Sequence, residues 1–196
     1  MSHDTLLHRL VRPAMRPLAR TPITPNQLTT MRLLTGLAAA TGFAFGGGWR
    51  VAGSGLFLVS LLLDRADGEL ARLSGKMSAG GYRYDLTCDC IATVATFIGL
   101  GIGLLGELGP VAIALGAVAG ASVVAVFYQI NVLKVAGTSG PGLDGRTLAD
   151  ADDAMVGLPV LIWLGLSKLA LVLAGTATPI IVILLVLRER LRTRRA

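Results

Sequence analysis

The feature that most constrains this chain is a series of apolar runs near bilayer length, separated by short polar or glycine-rich breaks. A membrane hydrocarbon core is about 30 Å thick, and about 20 helical residues cross it with every backbone group satisfied internally. Runs over 28–46, 51–64, 82–105, 110–133, 154–167 and 169–188 predict six transmembrane helices. Composition agrees, with 53% hydrophobic and 15% charged residues and a mean hydropathy of +0.68. A soluble globule of this size carries more charge, so a bundle of buried soluble helices is the weaker reading. The expected fold is an all-α integral membrane protein with six transmembrane helices and a short N-terminal amphipathic interfacial helix. Its expected organisation is a juxtamembrane segment 1–24, one six-helix domain 25–190 and a basic tail 191–196.

The leader DTLLHRLVRPAMRPLAR places Leu6, Leu7, Leu10 and Val11 on one face, with His8, Arg9 and Arg12 towards headgroups. Pro13 and Pro17 break or kink it; a solvated basic leader is the alternative. No cleavable signal peptide is evident, and neither His3 nor His8 has a second histidine to work with. Thr24 or Asn26 can cap the first span, and Asn26 and Arg32 stand at its entrance.

The net charge is +6. The arginines flank apolar runs rather than forming a broad basic face, which favours membrane phospholipids over nucleic acid as the partner. Six spans place both termini on one side together with all cations except Arg50 and Lys168. The positive-inside rule then predicts a cell inner (cytoplasmic) membrane protein whose termini and 64–89 segment face the cytoplasm. Cys88 and Cys90, at i and i+2, point in different directions on a helix and read as packing residues rather than a disulfide or metal pair.

The chemistry concentrates in DRADGELARLSGKMSAGGYRYDLTCD, residues 64–89. Asp64 and Asp67 are i,i+3 on one helix, and Asp85 and Asp89 are i,i+4 on the next. An antiparallel pair brings both faces together, and carboxylates so placed repel unless protonated or neutralised. Oxygen-only ligands suit hard cations such as Mg²⁺, Mn²⁺ or Ca²⁺, and two divalent ions would balance four carboxylates. Gly68 and Ala71 leave a shallow surface beside them, Gly81 lets the opposing helix start closely, and Arg72 offers a fork to phosphate. Glu69 points to the side and reads as a surface or headgroup-level residue. The pattern points to phosphate chemistry at a membrane surface, with a carboxylate accepting the proton of an attacking hydroxyl. A cation-coupled membrane transporter and a structural carboxylate network are the alternatives the composition leaves open.

Asp64-x-x-Asp67-Gly68-x-x-Ala71-Arg72, eight residues, Gly81, three residues, Asp85, three residues, Asp89 resembles the signature of the CDP-alcohol phosphatidyltransferases at every fixed position. TPNQLTTMR is similar to the start of that family's first transmembrane helix. The resemblance implies metal-dependent transfer of a phosphatidyl or related phospho-alcohol group from a CDP-linked donor, CDP-diacylglycerol first among them, to an alcohol, with release of CMP. It implies Asp64, Asp67, Asp85 and Asp89 as ligands of Mg²⁺ or Mn²⁺, two ions per site, and Asp89 also as general base. Gly68, Ala71, Arg72 and Gly81 would contact the CDP moiety, and the protein would be a homodimer. Glycerol 3-phosphate is the leading acceptor expectation, with inositol phosphate next. Arg65, Arg83, Lys134 and Arg146 are candidates for an acceptor phosphate, against ordinary positive-inside charge. GYRYDLTCD departs from the family run FG-x-x-LDS-x-x-D between its fixed positions, which touches the substrate and not the metal chemistry.

Overall fold

A computed structural model describes residues 6–131 and 153–193 as an all-α bundle. Helix α1 spans Leu6–Leu18. Helix α2, Pro25–Phe45, starts at Thr24, whose backbone N–H donates to the Gln27 side chain at 2.9 Å, with Pro25 in the first turn. Gly46 and Gly47, at φ 72° and 52°, turn the chain into α3, Trp49–Ser74. Gly75 (φ 67°) ends α3, and the Ser78 hydroxyl accepts from the Gly81 N–H to cap α4, Ala79–Gly103. A single turn, α5 (Leu105–Leu108), leads into α6, Val111–Asn131. After a 3₁₀ turn at Asp153–Val156 come α7, Gly157–Trp163, and α8, Ser167–Thr193.

Four of these helices, not six, are long and apolar enough to cross a membrane: Pro25–Phe45, Ala79–Gly103, Val111–Gln129 and Ser167–Arg188. The protein is thus a multi-pass all-α membrane protein, and the expectation of six spans is corrected at two places. The run expected at 51–64 lies in α3, whose uncharged part, Val51 to Leu63, extends only about 20 Å at 1.5 Å per residue. Asp64, Arg65, Asp67, Glu69 and Arg72 follow on the same helix. The run expected at 154–167 forms only the 3₁₀ turn and the 7-residue α7, because Gly165 (φ 77°) stops it. Lys168, expected in a turn, lies inside α8.

The bundle closes at small residues. A Cβ on Gly53 of α3 would lie 2.9 Å from the Ala39 carbonyl oxygen of α2. Gly99 and Gly103 of α4 lie against Ala40 and Phe43 of α2, and Gly116 and Gly120 of α6 against Phe97 and Val94 of α4. These small-xxx-small spacings therefore serve contacts within the chain. Phe43, Phe57, Phe97, Leu100, Leu104 and Leu171 fill the main core. A second cluster, Val11, Met15, Leu28, Ala66 and Leu70, docks α1 onto α2 and α3. Along α8, Ile180, Ile183, Leu184 and Leu187 stay exposed, as a lipid-facing helix requires.

The two ends of the bundle differ. At one end Glu107 pairs with Arg50 of α3 at 2.9 Å and Lys168 of α8 at 3.1 Å. These are the two cations that the sequence sets apart from the rest. The opposite end carries the start of α2, the end of α3 and the start of α4, and with them the acidic motif.

Candidate metal centre

Helices α3 and α4 bring one carboxylate oxygen each from Asp64, Asp67 and Asp85 within 4.8 Å of one another. Asp67 is buried at 4% exposure, while Asp64 and Asp85 are half-buried. Burial is the largest force pushing the Asp67 carboxyl up to about 8; Asp85 and Asp64 push the same way, against the Thr29 hydrogen bond and Arg32. Three crowded carboxylates with only oxygen donors fit a hard divalent cation.

The first turns of α2 complete the site. The Thr29 hydroxyl donates to Asp67 at 2.6 Å. The Arg32 guanidinium, at 5% exposure, lies 3.1 Å from both Asp64 and Asp85 through Nη1 and contacts Asp89 through Nη2. Ser60 of α3 donates to the Arg32 carbonyl at 3.0 Å, and the Thr30 and Tyr84 hydroxyls meet at 2.9 Å. Asp89 is thus beside the cluster, on Arg32, rather than within the three-carboxylate group.

The remaining expected residues distribute as follows. Gly68 has open space where a Cβ would stand, and a Cβ on Gly81 would meet the Ser78 hydroxyl at 3.0 Å and the Asn26 amide oxygen at 3.2 Å. Ala71 is half-buried and Arg72 exposed. Arg72 is held by Glu69 at 3.0 and 3.2 Å. Glu69, expected at the surface, is instead buried at 8% exposure, where it joins Arg72 to Arg12 of α1. A carboxylate so placed is retained because two cations meet it. Arg65 is half-buried and Arg83 exposed; Lys134 and Arg146 lie outside the described residues. Cys88 is buried, and both cysteines are free.

Thr29 and Arg32 are the residues that the aspartate spacing does not reveal. Asn26, Thr29 and Arg32 recur at i,i+3 on one side of an otherwise apolar helix. A charge inside such a helix is costly and marks a partner, and that was the available signal.

Residues 22–182 match the model of the family described as CDP-alcohol phosphatidyltransferase. The chain belongs to that family. Its acidic motif, read from spacing, is the segment in which the three-carboxylate cluster forms. Among curated proteins, the archaetidylinositol phosphate synthase of Pyrococcus horikoshii is 34% identical over 88 residues. That match covers 45% of this chain and 46% of the relative, so the two are comparable over about half the length of each.

Proposed function

We propose that this CDP-alcohol phosphatidyltransferase transfers a phosphatidyl-type group from a CDP-linked lipid donor to an inositol phosphate, releasing CMP. The observation that carries the chemistry is the cluster of Asp64, Asp67 and Asp85 formed within the family motif. The acceptor reading rests on the inositol phosphate named in the relative, which favours the runner-up acceptor over glycerol 3-phosphate.

Asp64, Asp67 and Asp85 would hold Mg²⁺ or Mn²⁺, with Asp89 completing the site for a second ion. When bound, the metal supplies charge to neutralise the donor pyrophosphate and the leaving CMP. Asp89 accepts the proton of the acceptor hydroxyl. That oxygen forms the new bond to the lipid-side phosphorus, and the pyrophosphate P–O bond breaks so that the bridging oxygen leaves with CMP. The open space at Gly68 would admit the CDP moiety, and the lack of a side chain at Gly81 keeps the start of α4 close to Asn26. Arg72, steadied by Glu69, contributes positive charge to the phosphates. Arg65 of α3 and Arg83 of α4 would offer positive charge to an acceptor phosphate.

In the described chain, Arg50 and Lys168 stand at the end remote from the site. The other described cations flank the site end, which would therefore face the cytoplasm. The test is product identification. Purified protein with Mn²⁺ and CDP-diacylglycerol is offered inositol 1-phosphate or glycerol 3-phosphate, and the lipid formed is weighed by mass spectrometry. A phosphoinositol-phosphate lipid is expected; a phosphoglycerol-phosphate lipid alone would overturn the acceptor reading.

A further inference from the structure

We propose that Arg32 is an internal cation of the carboxylate cluster: its guanidinium holds Asp64, Asp85 and Asp89 while no metal is bound, and a divalent ion enters by displacing it. The inference rests on the metal reading above and goes beyond it, because it assigns a competitor for the metal from this chain's own residues.

Three observations carry it. Arg32 is 5% exposed and reaches the cluster from a third helix, contacting three carboxylates through its two terminal nitrogens. Two of those carboxylates, Asp64 and Asp85, belong to the group with metal-binding spacing. The Arg32 Nε is buried yet has no hydrogen-bond partner among the described residues. A buried guanidinium kept for structure alone normally has its donors satisfied, so this one is held by charge and not by a full set of hydrogen bonds.

A divalent ion sits about 2.0–2.1 Å from its oxygen ligands when it is Mg²⁺-sized. On Asp64 and Asp85 it would crowd a guanidinium only 3.1 Å from the same side chains, and like charges at that range repel strongly. Ion and guanidinium therefore compete for these oxygens. Displacing Arg32 also frees Asp89, so the proton acceptor becomes available only when metal is in place. A buried guanidinium needs a new anion once displaced, and a substrate phosphate supplies one, satisfying Nε as well.

The experiment measures Mn²⁺ affinity by electron paramagnetic resonance, with thermal stability alongside, on full-length parent, Arg32→Gln and Arg32→Lys in detergent. Arg32→Gln should bind Mn²⁺ about tenfold more tightly or better, the effect of removing one charge at this range. It should melt below the parent when metal-free and regain the difference in saturating Mn²⁺. Arg32→Lys, which keeps the charge without the fork, should fall between the two. Equal or weaker binding by Arg32→Gln overturns the inference. So does an Arg32→Gln protein that cannot be recovered folded in saturating Mn²⁺, since a divalent ion would then not replace the guanidinium. Absence of Mn²⁺ binding by every protein, parent included, overturns the metal reading itself and this inference with it.

Discussion

Asp67 shows at the scale of one residue how this site is made. Burial and two neighbouring carboxylates push its carboxyl up to about 8, a cost that a divalent cation bound among them would offset. Its one described side-chain hydrogen bond comes from Thr29. Thr29→Val keeps the shape and removes that donor. It is expected to weaken Mn²⁺ binding by about 10- to 100-fold, as loss of a residue orienting a ligand typically does. A Mn²⁺ titration superposing on the parent's would contradict this. Asp89→Asn should fold as the parent does and lose about 10²- to 10⁴-fold in turnover, the usual worth of a general base; single-turnover CMP release at parental rate would remove Asp89 from that role. The aspartate set was legible because i,i+3 and i,i+4 spacings place carboxylates on defined helix faces. Arg32 and Thr29 were not, because spacing within a helix does not say which third helix docks on it. Glu69 misled for a related reason: Arg72 shares its helix, but its second cation, Arg12, comes from α1.

Among the elements, α2 and α4 bind the bundle together, and glycines set their distances. The Gly116 face of α6 sits so close to the Phe97 carbonyl that a side chain has no space. Gly116→Ala should therefore cost about 1–3 kcal/mol through forced separation of α4 and α6, read as a lower melting temperature in detergent. An unchanged melting temperature would show that the contact yields freely. At the far end, Glu107 joins α3, α5 and α8. The hydrogen bonds from Arg50 and Lys168 hold its carboxyl below the ordinary value of 4.5. A lowered carboxyl stabilises the folded state above its unfolded value, and that contribution disappears as pH falls through the folded value. The melting-temperature gap between parent and Glu107→Gln should accordingly be constant above about pH 5 and narrow on further acidification. A gap independent of pH would contradict the pairing. The start of α2 at Pro25 could be read from the capping chemistry around Thr24, whereas α4 begins at Ala79, ahead of the apolar run expected from 82. Whether an apolar run crosses the membrane could not be read from hydropathy alone. In α3 the run gives way to charge after Leu63, and in α7 it ends after a few residues.

The whole molecule joins these levels. Apolar helices with exposed lipid-facing sides carry a polar centre at one end of the bundle, where α2, α3 and α4 converge. All-α character and membrane insertion followed from composition and run length, whereas the number of spans needed the helices themselves. The acceptor lay beyond what spacing can specify, since one carboxylate cluster serves any alcohol that reaches it. The metal role proposed for Asp64, Asp67 and Asp85 in CMP-releasing transfer underlies the behaviour expected of the whole molecule. It is tested most directly by measuring CMP release from CDP-diacylglycerol in the presence of inositol 1-phosphate across a Mn²⁺ titration, for the parent and Asp85→Asn side by side. Saturable, Mn²⁺-dependent release by the parent, abolished by chelator, is expected, with release at least about 100-fold lower from Asp85→Asn. Equal release by the two proteins, or release by the parent that persists in excess chelator, would contradict it.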